Sequence, residues 1–99
     1  LPRGAKADDA ALLRGRTLYT DNCARCHGLT GGGGVGPSLT GDRQLRSFPT
    51  AAEQESFVAR GRGVMPAWQG TLSERQIAEV VRYTREVLAS SASSTSSGP

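Results

Sequence analysis

Cys23-Ala24-Arg25-Cys26-His27 is the stretch that decides how this 99-residue chain folds. Two thiols separated by two residues, with a histidine directly after the second thiol, are the pattern by which a chain attaches haem c. The spacing suits that chemistry, because the two thiols can reach the two vinyl groups on one edge of a porphyrin. His27 can then turn a ring nitrogen towards the iron. The motif therefore predicts one covalent haem c, bound through Cys23 and Cys26, with His27 as an iron ligand.

Three other uses of these residues stay open at this point, and each has a weakness. A disulfide between Cys23 and Cys26 would close a very short loop and add little stability. A redox-active dithiol is typical of a βαβ setting, and no strand pattern is present. A zinc site would need a fourth ligand, but the chain has no cysteine or histidine beyond Cys23, Cys26 and His27. The sequence favours haem over all three.

The sequence offers one candidate for a second iron ligand. His27 is the only histidine, which excludes a second histidine ligand within the chain. Met65 is the only methionine, and it lies in Gly61-Arg62-Gly63-Val64-Met65-Pro66-Ala67-Trp68. The glycines and the proline predict a shaped loop that aims one side chain, rather than a helix whose methionine fills a gap in the core. The only lysine, Lys6, precedes the first predicted helix and is expected to face solvent.

Three helices are predicted around the motif, and no alternating polar and apolar run predicts a strand. The first covers about residues 8–22 and ends where the motif begins. Gly15 lies on its apolar face, where glycine costs about 1 kcal/mol relative to alanine. That cost indicates another helix crossing very closely at Gly15.

The other two helices each begin at a capping box, in which a hydroxyl and a side chain three residues later satisfy the first backbone groups. Residues 50–53 start a helix that ends near Gly61, and residues 73–76 start one whose apolar pattern runs to Leu88. Two long glycine-marked loops join the helices, at about residues 28–49 and 61–72. The predicted fold class is all-α.

Composition separates one domain, residues 8–89, from two tails. Residues 1–7 have no periodic pattern, and residues 90–99 are mostly serine, which predicts a flexible tail or linker. No apolar run approaches the ~18 residues of a membrane span. No leader pattern is visible, which we expect of a mature or trimmed form of an exported chain.

The charge distribution argues against nucleic-acid binding, and the low aromatic content indicates a small hydrophobic core. The formal net charge of +3 is spread along the chain, with no basic run and no interleaved aromatics, so nucleic-acid binding is not predicted. Only 5% of residues are aromatic, which is few for so short a domain. A haem would supply the missing apolar volume.

A glycine pattern at residues 31–36 matches the dinucleotide-binding fingerprint but lacks its context. Gly31, Gly33 and Gly36 have the required spacing. They follow no predicted strand and open no helix, because Pro37 comes next. A flexible loop over one face of the haem is the better interpretation.

Four features together resemble the class I c-type cytochromes, and more narrowly the small bacterial monohaem members and the cytochrome domains of larger redox enzymes. They are Cys23–His27, Gly36-Pro37-Ser38-Leu39, Val64-Met65-Pro66-Ala67 and the last amphipathic helix. The resemblance covers the predicted domain end to end. It implies a cytochrome c fold, in which three main helices and long loops wrap around one haem.

The resemblance also implies roles for individual residues. Cys23 and Cys26 would form thioethers, and His27 and Met65 would be the two iron ligands. The carbonyl of Pro37 would accept a hydrogen bond from the second nitrogen of His27 and so fix the ring.

Other residues have less specific roles in the resemblance. Trp68, Arg43 and Arg46 are candidates for holding a haem propionate, and Trp68 is equally compatible with plain core. The first and last helices would cross with Gly15 and Tyr19 packed against Val80 and Tyr83.

The implied function is that of a single-electron carrier and not of an enzyme, because iron ligated by His27 and Met65 has no open position for a substrate. One alternative is a cytochrome c domain of an electron-transfer enzyme, such as an oxidase subunit or a periplasmic dehydrogenase. A haem sensor or peroxidase-like protein would require Met65 to be off the iron.

The implied partners are redox proteins that approach an exposed haem edge. Nucleic acid and a membrane span in this chain are not expected, and the chain is expected to be a monomer. Bacteria attach haem c outside the cytoplasmic membrane, so the expected location is the periplasm or another extracytoplasmic space.

The motif predicts that haem stays on the unfolded chain. After acid–acetone treatment the denatured protein should remain red, and its mass should exceed that of the bare sequence by one haem. A colourless chain of the bare mass, produced in a host with the haem c maturation machinery, would contradict the prediction.

Overall fold

The computed structural model describes residues 9–34, 36, 38–41 and 43–89. Its helical elements, in order, are α1 (Ala10–Leu18), a π-helical turn (Tyr19–Cys23), α2 (Ala24–His27), α3 (Arg43–Ser47), α4 (Ala51–Arg60), α5 (Glu74–Tyr83) and a second π-helical turn (Thr84–Leu88). Within these residues there is no β-sheet, and no helix is long and apolar enough to cross a membrane. The helical class is as predicted, but α3 is an addition inside the first predicted loop.

The first helical segment ends later than the sequence predicted, because the helical path continues to His27. Asp9 is the N-cap, and its carboxylate accepts a hydrogen bond from the Ala11 N–H at 3.0 Å. Beyond α1 the backbone widens, because the Ala24 N–H donates to the Tyr19 carbonyl five residues back. The chain stays helical through α2, so the motif lies on the helical continuation and does not follow a completed helix. The predicted start at Asp8 lies outside the described residues.

Helices α1 and α5 cross at Gly15, as predicted. Gly15 is buried, and a Cβ atom there would press on the Glu79 carbonyl and lie 3.0 Å from Tyr83 Cβ. Four residues further along, the Tyr19 and Tyr83 rings are 5.7 Å apart and inclined at 45°. The Tyr19 hydroxyl donates to the Gly28 carbonyl at 2.6 Å. The crossing therefore fixes the helix that carries the motif.

The α1–α5 crossing is also stabilised by a charged cluster of Arg14, Arg75 and Glu79. Arg14 of α1 donates to the Glu79 carboxylate through Nε at 2.9 Å and Nη2 at 2.8 Å, and Arg75 donates to it at 3.3 Å. Glu79 is only 8% exposed. The hydrogen bond from the Arg14 guanidinium holds the pKa of Glu79 below its usual value. The carboxylate is thus charged and paired at neutral pH.

Helices α4 and α5 begin at the predicted capping boxes. Thr50 and Glu53 exchange hydrogen bonds of 3.2 and 3.1 Å with each other's backbone N–H groups, and Ser73 and Gln76 do so at 3.1 and 2.9 Å. Among the residues that the structure describes, the buried apolar side chains form two clusters based on α5: Leu12, Tyr19, Val80, Tyr83, Val87 and Leu88 in one, and Leu72, Ile77 and Val81 in the other. These clusters leave a cavity on the α4 side of α5.

The close crossing predicts whether a substitution at Gly15 raises or lowers the free energy of unfolding. Gly15→Ala should lower the free energy of unfolding by about 1–3 kcal/mol, because the added methyl overpacks the contact with Glu79. At an uncrowded helical site the same change would raise it by about 1 kcal/mol. Denaturant unfolding of the two proteins measures the difference.

Gly70→Ala is the matched control, since a Cβ atom at Gly70 would meet nothing within 4 Å. Its stability should stay close to that of the parent. A Gly15→Ala protein as stable as the parent would mean that α1 and α5 do not approach this closely.

Candidate haem-binding site

A cavity of about 620 Å³ lies between the motif, α3, α4, the loop around Met65 and α5. Its volume is within the range of cofactor sites, and its walls are mostly apolar. Six of the predicted site residues line it: Cys23, Cys26, His27, Arg43, Met65 and Trp68. Residues far apart in the sequence therefore converge on one space.

The glycine loop after the motif folds back onto the motif backbone. The Gly33 N–H donates to the His27 carbonyl at 2.7 Å, and the Gly36 N–H donates to the Cys26 carbonyl at 2.7 Å. A Cβ atom on Gly36 would lie 2.8 Å from Cε1 of His27, so the missing side chain lets backbone pack against the imidazole. Backbone hydrogen bonds hold the described part of this loop, and no helix begins in it.

A tight turn presents Met65 to the cavity. Arg62 and Met65 exchange backbone hydrogen bonds of 3.0 and 2.9 Å, and Gly61 enters the turn at a φ of 70°. A Cβ atom on Gly61 would lie 2.6 Å from the Met65 carbonyl. The Trp68 N–H donates to the Val58 carbonyl of α4 at 3.2 Å. Hydrogen bonds therefore close the turn between Arg62 and Met65 and join the segment after it to α4.

The state of the cysteines gives no support to the alternatives to haem. Burial, with a contribution from the charge of Cys26, raises the pKa of the Cys23 thiol to about 11. A redox-active dithiol instead requires a lowered thiol pKa. The two sulfurs are not joined in a disulfide. Within the part of the chain that the structure describes, no group of three or more His, Cys, Asp or Glu side chains is arranged around a metal site.

The candidates for propionate contact are divided by the structure. Arg43 lines the cavity, whereas Arg46 is not among its described lining residues. Trp68 lines the cavity and also packs against the cluster of Leu72, Ile77 and Val81. Its position is therefore compatible with both roles considered for it, contact with a haem propionate and packing in the core. Pro37, the expected hydrogen-bond acceptor for His27, lies outside the described residues, and its role stays a prediction.

Sequence reasoning missed a polar wall of the cavity, formed by Gln44, Gln54 and Thr84. These side chains are only 4–5% exposed. Gln54 Nε2 donates to Gln44 Oε1 at 2.9 Å and to Thr84 Oγ1 at 3.2 Å, and Gln44 Nε2 donates to the Thr84 carbonyl at 2.9 Å. One signal was available for Gln54, because it shares a face of α4 with Phe57 and Val58.

The residues present fit one haem c. Two thiols, a histidine and a methionine line a single mostly apolar space of suitable volume. The backbone at Gly36 lies close to the histidine ring, since a Cβ atom there would be 2.8–3.2 Å from three of the ring atoms.

Comparisons with known proteins agree with this site. Residues 10–83 match the family model of cytochrome c oxidase, cbb3-type, subunit III, and the chain belongs to this family of c-type cytochromes. It is 39% identical over 83 residues to the cbb3-type oxidase subunit CcoP of Cereibacter sphaeroides, covering 81% of this chain and 29% of that subunit. It is 36% identical over 74 residues to cytochrome c6 of Euglena gracilis, covering 70% of this chain and 84% of that protein.

The solved structures give the same fold. Cytochrome c6 of the diatom Phaeodactylum tricornutum superposes with a TM-score of 0.65 at 32% identity, covering 84% of this chain and 95% of that one. The predicted class I cytochrome c fold is thereby confirmed, and covalent haem c is the cofactor of this family. The chain spans only 29–31% of the length of CcoP relatives, but most of the length of these cytochromes c6.

The Met65 turn predicts what happens when its sulfur is removed. Met65→Ala should open the iron to carbon monoxide and lower the reduction potential, because methionine ligation raises it. Val64→Ala is the control, since Val64 is 87% exposed in the same turn. Optical spectra with and without carbon monoxide make the measurement. If the oxidised parent already lacks the weak sulfur-to-iron charge-transfer band, Met65 is not a ligand.

Proposed function

We propose that this chain is a single-electron carrier domain with one haem c, attached through Cys23 and Cys26 and ligated by His27 and Met65. The observation that carries the proposal is the cavity that all four side chains line. Membership of the c-type cytochrome family supports it. The same proposal makes the chain itself an electron-transfer protein and not an enzyme.

Each of these residues has a separate task. Cys23 and Cys26 would hold the macrocycle edge on the helical segment, so that the cofactor stays bound in both oxidation states. His27 would bind the iron through a ring nitrogen, with the backbone of Gly36 close to its ring. Met65 would bind the iron through a neutral sulfur, which favours the reduced state. When bound, the haem supplies a reversible one-electron couple.

The protein around the ligands would keep the reaction to electron transfer. With His27 and Met65 both bound to the iron, no position would be left for a substrate. The mostly apolar walls, including Phe48 and Phe57 with ring centroids 5.0 Å apart, would keep water away from the centre. A dry, low-dielectric site disfavours the additional positive charge of the oxidised state.

A second candidate is that this domain is one part of a cbb3-type oxidase subunit. The match to CcoP covers 81% of this chain but only 29% of that subunit, as expected for a domain of a larger protein. In that case the haem site would work in the same way, and its partner would be another part of the enzyme. The cytochrome c6 matches favour the free carrier, because they extend over most of those proteins.

The proposed setting is extracytoplasmic, either in the periplasm or in an equivalent compartment, with the chain acting as a monomer. Its partners would be redox proteins that approach the open side of the cavity. Val64, Arg25 and Arg62 are exposed residues of the cavity lining, and Val64 is 87% exposed. We propose that this surface has an apolar centre and a basic rim, and that it docks with an acidic patch.

Small redox reagents of opposite charge test this surface and the function together. The second-order rate of oxidation by hexacyanoferrate, an anion, should fall as ionic strength rises. In an Arg25→Gln/Arg62→Gln variant the rate should start lower and depend less on salt. Hexaammineruthenium, a cation, should show the opposite trends.

The matched control is Arg16→Gln/Arg75→Gln, which removes the same charge from exposed residues that do not line the cavity. This protein should react like the parent. Equal effects of the two double variants would show that only net charge matters. A chain that no reagent reduces and reoxidises would overturn the carrier function itself.

A further inference from the structure

The guanidinium of Arg85 is hydrogen-bonded to Gln54 in the polar wall of the cavity. Nη1 of Arg85 donates to the Phe48 carbonyl at 2.7 Å and to Gln54 Oε1 at 3.0 Å, and its Nη2 donates to the Pro49 carbonyl at 3.3 Å. Gln54 and Phe48 both line the cavity. The guanidinium is therefore one hydrogen bond away from the cavity surface.

The partners of Arg85 are neutral, unlike those of the arginines in ion pairs. Arg14 and Arg75 share the carboxylate of Glu79, and Arg82 binds two carboxylates. Arg85 instead binds two backbone carbonyls and an amide. Across residues 9–34, 36, 38–41 and 43–89, the structure gives Arg85 no carboxylate within ion-pair distance. Among these described residues, its positive charge has no ion-pair partner.

The wall amides are aligned with this charge. Gln54 turns its oxygen to Arg85 and its Nε2 away, towards Gln44 Oε1 and Thr84 Oγ1. Gln44 repeats the pattern, because its Nε2 donates onwards to the carbonyls of Leu39, at 2.6 Å, and Thr84. Each amide thus presents its positive end away from the guanidinium. The dipoles add to the field of the cation, and low local dielectric strengthens that field.

We propose that Arg85 raises the reduction potential of the centre in this cavity, acting through Gln54 and Gln44. Reduction adds one electron from the donor, with no bond formed or broken, and makes the centre more negative by one charge. A fixed, uncompensated cation nearby stabilises that state. The proposal rests on the proposed function, because it requires the redox centre to occupy the cavity.

Redox titration of the haem-loaded protein tests the role of Arg85. Arg85→Met should shift the midpoint potential downwards, and Arg85→Lys should keep most of the parent value, because it keeps the charge. Arg75→Met is the matched control, since Arg75 is on the preceding part of the same helix with a 76% exposed side chain paired to Glu79. Its shift should be several-fold smaller, and unlike that of Arg85→Met it should vanish at high salt.

Two results overturn the proposal while leaving the carrier function intact. One is an unchanged potential in Arg85→Met. The other is an equal decrease in Arg85→Met and Arg85→Lys, which would mean that the packing of the arginine side chain, and not its charge, affects the potential. An intact sulfur-to-iron band in each variant shows that the Met65 ligand is retained. If Arg85→Met does not fold, Arg85→Gln removes the same charge but keeps an amide donor, and the same decrease is expected. A parent chain without covalent haem overturns both proposals.

Discussion

A cavity of about 620 Å³ in a small chain with few aromatic residues is the constraint on which the rest of this structure depends. The chain's own side chains build two clusters on α5 and leave the space beside them open. Domains of this size have a net stability of about 5–15 kcal/mol, so an apolar interior left open to water would remove a large part of it. A covalently attached macrocycle would join the two clusters into one core.

The surrounding structure holds that space in one shape. Gly15 lets α1 approach α5, and the unbroken helical path from α1 to α2 carries this contact directly to the motif. On the other side, the Met65 turn is closed by its own hydrogen bonds and is tied to α4 through Trp68. When the ligands are held from both sides, the geometry of the site changes little between oxidation states. A small change in geometry suits rapid electron transfer.

Much of this site could be predicted because its signals are local or unique. Cys23, Cys26, His27 and Met65 could be found by type and spacing alone, and the capping boxes depend on residues three positions apart. The π-helical turn at Tyr19–Cys23 was missed because its widened hydrogen bond has no local sequence signature. The wall of Gln44, Gln54 and Thr84 was missed because its members come from three separate segments, and polar residues on helices are usually expected to face solvent.

Amide hydrogen exchange of the haem-loaded and haem-free chains tests most directly whether the cofactor completes the core. The account predicts that amides of α4 and of Trp68–Leu72, which border the cavity or tie its walls together, are strongly protected with haem and exchange nearly unprotected without it. Amides at the α1–α5 crossing should lose less protection, since that contact is made by the chain alone. Equal protection of α4 in both forms would contradict the account, because the chain would then close its core without the cofactor.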